Sequence, residues 1–225
     1  MIPGLERLKA ALSNREFQRG VISLYGSSQV ECTRNSKCGM EIGMSREKDL
    51  GAGLKYFLGD SVNLDIDNEL PQDFVIEQEN ISAKHSQNKV GSPVKAKWTS
   101  ADTPVQDAVK AMIEADDSYY PHLLLSYIDL KGKVIEYVCI TSTQNKEVIK
   151  TLGTEAFKIP KGNSRGIEYS AKAMKELMKN TYFHIKVSNA DLGGGIDPIQ
   201  RRINILRDMG IMPLETPESP APSSQ

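Results

Sequence analysis

Pro71-Gln72-Asp73-Phe74-Val75-Ile76-Glu77-Gln78-Glu79-Asn80-Ile81-Ser82-Ala83-Lys84-His85-Ser86 reads as two short β-strands joined by a turn. A turn at Gln78-Glu79 places Asp73 opposite Lys84 and Val75 opposite Ser82. Side chains on a strand alternate with period two, so Asp73, Ser82 and Lys84 share one face. A carboxylate, an ammonium group and the main-chain carbonyl of Ala83 at one sheet edge can hold a divalent metal beside a phosphate. The same acid and lysine also read as a cross-strand salt bridge on a solvated face, worth about 0–1 kcal/mol. The flanking Phe74, Val75, Ile76 and Ile81 favour the interior, where an unused charge costs energy.

Outward from this hairpin the chain alternates helices and strands. Leucines at helical spacing in residues 4–13 predict an amphipathic helix. Residues 21–25 fit a short strand or a continuation of that helix, and 26–44 read as a long irregular loop. Ser45 then reads as an N-cap, with Leu50, Leu54, Phe57 and Leu58 as an apolar stripe and Gly59 as the stop. Strands are expected over 61–66, 94–98, 122–130, 134–141 and 182–187. Helices are expected at 105–115, opened by Thr103-Pro104, at 147–152, at 171–179 after a Ser170 cap, and at 198–209. Trp98, the single tryptophan, is expected in the core. The pattern predicts an α/β or α+β domain, with a central mixed β-sheet of about four or five strands flanked by helices. Residues 1–212 form the expected single domain, and the Pro/Ser-rich 213–225 an expected disordered tail.

Composition bounds the function. At 225 residues, 39% hydrophobic and 25% charged, the chain has the make-up of a soluble globular protein. The formal net charge of −1 means that any nucleic-acid contact needs its positive charge gathered on one face. Cys32, Cys38 and Cys139 form no CxxC pair, and His85, His122 and His184 lie away from Cys32 and Cys38, so no zinc site is expected. Reduced thiols, no apolar run of spanning length and no leader-like start suggest a cytoplasmic protein. Gly193-Gly194-Gly195 lacks the spacing of a nucleotide-binding loop. His85 is expected to point to the face opposite Lys84.

Pro71-Gln72-Asp73 followed by Ser82-Ala83-Lys84 resembles the P-D…(D/E)-x-K signature of the restriction-endonuclease-like nucleases, most closely type II restriction enzymes. Residues 81–86 and 94–99 also resemble stretches common after the catalytic strand in that group, and the likeness covers residues 45–100. It implies that Asp73, Ser82 and Lys84 are catalytic, with Asp73 and the Ala83 carbonyl as ligands of Mg2+. Two departures stand out: an extra residue between Pro71 and Asp73, and serine in place of the second acid. Serine ligates magnesium poorly, so the missing carboxylate is expected from Asp49 or Glu47, ranked equally, with Glu77 behind.

A restriction enzyme of this kind hydrolyses duplex DNA at a specific site and leaves 5′-phosphates. A symmetric target implies a homodimer, and a cognate DNA methyltransferase is the expected functional partner. The candidate DNA contacts are Arg34, Lys37, Met44 and Arg46 before or within the helix at 45–58, Lys89, Lys95 and Lys97 after the catalytic strand, and Asn163 and Arg165 in a later loop. A repair or recombination nuclease of the same fold, or a non-catalytic DNA-binding module, are the alternatives.

Overall fold

The computed structural model describes residues 1–36, 39–66, 71–98, 104–129, 132–159, 166–188 and 203. Its elements run α1 (Pro3–Ser13), α2 (Arg15–Arg34), α3 (Gly39–Leu58), β1 (Val62–Asn63), β2 (Phe74–Ile76), β3 (Glu79–Ser86), β4 (Lys95–Trp98) and α4 (Val105–Glu114). Then follow β5 (His122–Asp129), β6 (Val134–Ile140), α5 (Ser142–Leu152), β7 (Phe157–Lys158), β8 (Gly166–Tyr169), α6 (Ala171–Leu177) and β9 (Phe183–Ser188). The expected helix at 198–209 and the tail at 213–225 lie outside the described residues.

A six-stranded mixed sheet, ordered β1-β2-β3-β5-β6-β9, forms the centre, with β3 and β5 parallel and the other pairs antiparallel. A second sheet, β4-β8-β7, stands apart from it. Period-two alternation divides the core. Ile81, Ala83, Leu124, Ile128, Ile135, Tyr137 and Cys139 pack with the leucines of α1 and α3 on one face. Leu123, Leu125, Val138 and Ile140 pack with α5 and α6 on the other. Leu5, Leu8, Leu12, Leu50 and Leu54 are fully buried, and each stabilises the fold by roughly 1.5–3 kcal/mol on transfer from water. Helices on both faces of a mixed sheet fit the expected class, with six central strands in place of four or five.

The stretch expected as a loop, 26–44, is largely helical. Asn14 caps α2, its side chain accepting from the amides of Glu16 (2.9 Å) and Phe17 (3.1 Å). The serines that suggested a loop are absorbed inside the helix. Ser27 Oγ donates to Ser23 O at 3.0 Å, and Ser28 Oγ donates to Asp49 of α3. Ser45 is therefore mid-helix and no cap. Gly59 does end α3, with φ of +63°. Trp98 is also not core, at 41% exposed.

The decisive hairpin is present with a shifted register. Phe74 pairs with Ile81 and Ile76 with Glu79, so the turn is Glu77-Gln78, and Glu77 takes φ of +57°. Asp73 thus does not face Lys84 directly. The offset from the expected pairing is two residues, which leaves every side chain on its expected face. Because β2 stops at Phe74, β3 from Ser82 onward has β5 on one side and, among the described residues, no strand on the other. α1 braces this hairpin: a Cβ on Gly4 would lie 2.5 Å from Ile76 O and 2.7 Å from Glu79 Cγ. Gly4→Ala is expected to cost about 1–3 kcal/mol in urea unfolding, because a backbone oxygen must give way. An unchanged midpoint would contradict this close packing.

Candidate active site

Asp73 sits at the start of β2, beside the open edge of β3. Its Oδ2 accepts three hydrogen bonds: from Ala83 N at 2.7 Å, Ser82 Oγ at 3.1 Å and Lys84 Nζ at 3.1 Å. Among the described residues none falls on Oδ1, which keeps its lone pairs for another ligand. An extended residue sends its N–H and C=O to the same side. The Ala83 carbonyl therefore leaves β3 on the open edge, beside Asp73. Lys84 and Asp73 are 17% and 27% exposed at their side chains, well below a solvated surface pair. Three donors on one partly buried oxygen fix the carboxylate more firmly than an ordinary surface salt bridge does.

α3 brings a second acid to the same place. Burial pushes the Glu47 carboxyl up to about 7, with Lys84 pulling it down and Asp73 pushing it up further. Glu47 therefore shares one electrostatic environment with Asp73 and Lys84. Asp49, two residues along the helix, turns away: it is buried and accepts from Ser28 Oγ. Glu77 is held by Arg7 at the turn. Of the three acids considered for the place that Ser82 leaves vacant, the structure brings Glu47 to Asp73 and directs the other two elsewhere. Ser82 acts as a donor to Asp73.

Asp73, Ser82, Lys84 and Glu47 line a cleft of about 910 Å³. Its lining also includes Ile42, Gly43 and Met44 of α3 and Lys95, Lys97 and Trp98 of β4. The arrangement offers a pair of carboxylates and a lysine in a groove, with the Ala83 carbonyl at the adjoining open edge of β3, a donor set suited to a hard cation and a phosphate ester.

A profile of the family described as restriction endonuclease ThaI matches residues 8–204. The chain belongs to this restriction endonuclease family. A solved chain described as a restriction endonuclease in complex with substrate DNA has the same fold, with a TM-score of 0.67 at 23% identity over 89% of this chain and 99% of that one. No curated protein matches the chain.

In this restriction endonuclease the expected DNA contacts separate into groups. Met44, 48% exposed, and Lys97 line the cleft. Arg34, at the end of α2, and Lys89, after β3, are exposed outside it. Arg46 is 2% exposed, and its Nη2 donates to Gln29 Oε1 at 2.8 Å. This arginine is thus a largely buried bracket between α2 and α3 at the lining of the cleft, unlike the exposed loop arginine expected from the sequence. Lys37, Asn163 and Arg165 lie outside the described residues.

His85 does point to the face opposite Lys84, against Tyr25, with ring centroids 5.5 Å apart and planes at 82°. Both ring nitrogens are buried and, among the described residues, have no hydrogen-bond partner. Burial, with the Arg46 and Lys84 charges adding to it, pushes the imidazole down to about 3. A folded value below the unfolded one means that the unfolded chain binds the extra proton. The neutral ring thus costs nothing above about pH 6.5, and stability is lost as pH falls toward 3. His85→Phe keeps the edge-to-face packing and removes the titration. In EDTA, the stability difference between variant and wild type is expected to move by about 1–2 kcal/mol in the variant's favour between pH 7 and pH 5. A pH-independent difference in chemical denaturation would refute a neutral His85.

One buried pair escaped the sequence. His122 Nδ1 accepts from Ser142 N at 2.9 Å, so Nε2 carries the proton and donates to Glu79 Oε2, also at 2.9 Å. It ties the hairpin to β5 and to the start of α5. The partners are 43 residues apart in the chain, and no local pattern marks them.

Proposed function

We propose that this restriction endonuclease is a Mg2+-dependent, sequence-specific type II enzyme that hydrolyses both strands of duplex DNA and leaves 5′-phosphates. The observation that carries this reading is the meeting of Asp73, Glu47 and Lys84 at the open edge of β3. No group of three or more His, Cys, Asp or Glu side chains suited to a metal occurs among the described residues. Magnesium does not require one: it is commonly held by one or two carboxylates with water and phosphate oxygens. Asp73, Glu47 and the Ala83 carbonyl fit that requirement, and a cation offsets the cost of keeping both carboxylates ionised at one site.

When bound, Mg2+ would supply charge neutralisation at the phosphate and a more acidic water. The chain's own residues do the remainder. Ser82 and the Ala83 amide hold the Asp73 carboxylate in one orientation. Lys84 Nζ, anchored 3.1 Å from Asp73 Oδ2, places a positive charge where negative charge grows in the transition state. Lys97 and Met44 contact the duplex along the cleft. Two copies acting on a symmetric site cut both strands, so the enzyme is a homodimer. It works in the cytoplasm beside a methyltransferase that protects the host sequence.

Purified protein and plasmid DNA test this. Discrete fragments with Mg2+, none with EDTA, and 5′-phosphorylated ends on sequencing are the expected results. Nicking or branched-substrate cleavage alone points to a repair enzyme, and binding without cleavage points to a recognition module.

A further inference from the structure

Strand β4 contributes Lys95, Ala96, Lys97 and Trp98 to the cleft lining. β4 pairs with β8 through Lys95↔Glu168, Lys97↔Ile167 and Trp98↔Gly166, with a register shift between Lys95 and Lys97. The shift has a consequence for direction. Lys95 and Trp98, three residues apart, would point to opposite faces of a regular strand; opposite Glu168 and Gly166 they share one. Lys95 Nζ lies 3.3 Å from Glu168 Oε1 and 4.7 Å from the centroid of the Trp98 ring. A Cβ on Gly166 would sit 2.5 Å from Lys95 Nζ and 2.9 Å from Lys95 Cδ, so only glycine leaves room for the lysine to lie there. Lys95 and Glu168 are 21% and 27% exposed at their side chains, and both line the cleft.

Glu168 offsets the Lys95 charge, and without a cation at this pair the couple adds little net attraction for a phosphate. A fixed cationic donor beside an anionic acceptor suits a different surface. In the major groove a guanine offers two acceptors, O6 and N7, and its cytosine partner offers an amino donor. An A·T pair also offers an acceptor beside a donor, but it lacks the two adjacent acceptors, N7 and O6, that one ammonium can bridge while a carboxylate takes the neighbouring amino group.

We propose that Lys95 and Glu168 read one G·C base pair in the major groove, Lys95 donating to guanine O6 or N7 and Glu168 accepting from cytosine N4. Trp98 and Gly166 hold Lys95 in place for that contact. The inference rests on the duplex-cleaving reading of the same cleft.

The test is cleavage of a randomised duplex library in Mg2+, with the sequences cut by each enzyme compared position by position. Wild type is expected to require G·C at one position of each half-site. Lys95→Gln and Glu168→Gln should relax that single position, roughly 5- to 150-fold in discrimination, and leave the rest of the profile intact. The double exchange Lys95→Glu with Glu168→Lys restores an ion pair of reversed polarity and should favour C·G there. It also serves as the folding control for the single variants. Uniform weakening across all sequences with a shallower salt dependence identifies a phosphate contact and overturns the proposal. An unchanged profile in both single variants overturns it as well, leaving the pair a structural one. Wild type that cuts no library member overturns the nuclease reading itself, a result distinct from the other two.

Discussion

Asp73→Asn is expected to remove DNA cleavage, with single-turnover rates in Mg2+ falling by about 10³-fold or more, or roughly 4 kcal/mol of transition-state stabilisation. The asparagine is isosteric, and its oxygen can still accept from Ala83 N and Ser82 Oγ, the two neutral donors now on Oδ2. The hairpin should therefore persist. What disappears is the negative charge that can attract a cation and that now holds Lys84 Nζ at 3.1 Å. Duplex binding measured in Ca2+ is expected to stay within severalfold of wild type, since the contacts along the cleft are untouched. Cleavage within tenfold of wild type would show that Asp73 is only the acceptor of a structural salt bridge. Lys84→Met gives the complementary result: a large rate loss in which most duplex binding is kept, because Lys84 lines the cleft at the reacting phosphate and is paired with Asp73, while the other contacts along the cleft remain.

The fold class and the hairpin were legible because they depend on periodicity. Alternation in residues 74–76 and 79–86 sets faces, and faces survive a register error of two residues. The position of the turn was not legible. It depends on Glu77 accepting a positive φ, which a glutamate does not announce. Within the long helices α2 and α3, Ser27 and Ser28 look like loop residues and Ser45 like an N-cap. Their hydroxyls are satisfied by Ser23 O, Asp49 and, at 3.8 Å, Cys32 Sγ, and two of those three partners lie on a neighbouring helix that local sequence cannot reveal. Arg46 and Trp98 were assigned by residue type, arginine to the surface and tryptophan to the core. Tertiary packing reversed both: the buried Arg46 brackets α2, and the half-exposed Trp98 lies over Lys95 in the cleft wall.

Glu47 and Asp49 were indistinguishable in sequence, and their variants should now diverge. Two residues on a helix are about 200° apart around its axis, so both cannot face one site. Glu47→Gln is expected to lower cleavage by about 10²- to 10³-fold, because one of two carboxylates available to a cation is lost. The same change should strengthen the metal-free fold. The carboxyl has a folded value of about 7 against an ordinary 4.5, so its burden is absent below pH 4.5 and grows as pH rises through 7. Glu47 is only half-buried, so solvent screening reduces the gain, and about 1–2 kcal/mol at pH 8 in EDTA is expected. Asp49→Asn should do the reverse. It weakens the buried bond to Ser28 and the charge that faces Arg46, costing about 1–3 kcal/mol of stability while cleavage by the folded fraction stays near wild type. Paired measurements of denaturation and single-turnover cleavage decide it. An Asp49 variant that folds normally but cannot cut, beside a Glu47 variant that cuts, would move the second carboxylate to the other side of α3. The approach of helix to hairpin described above would then be wrong.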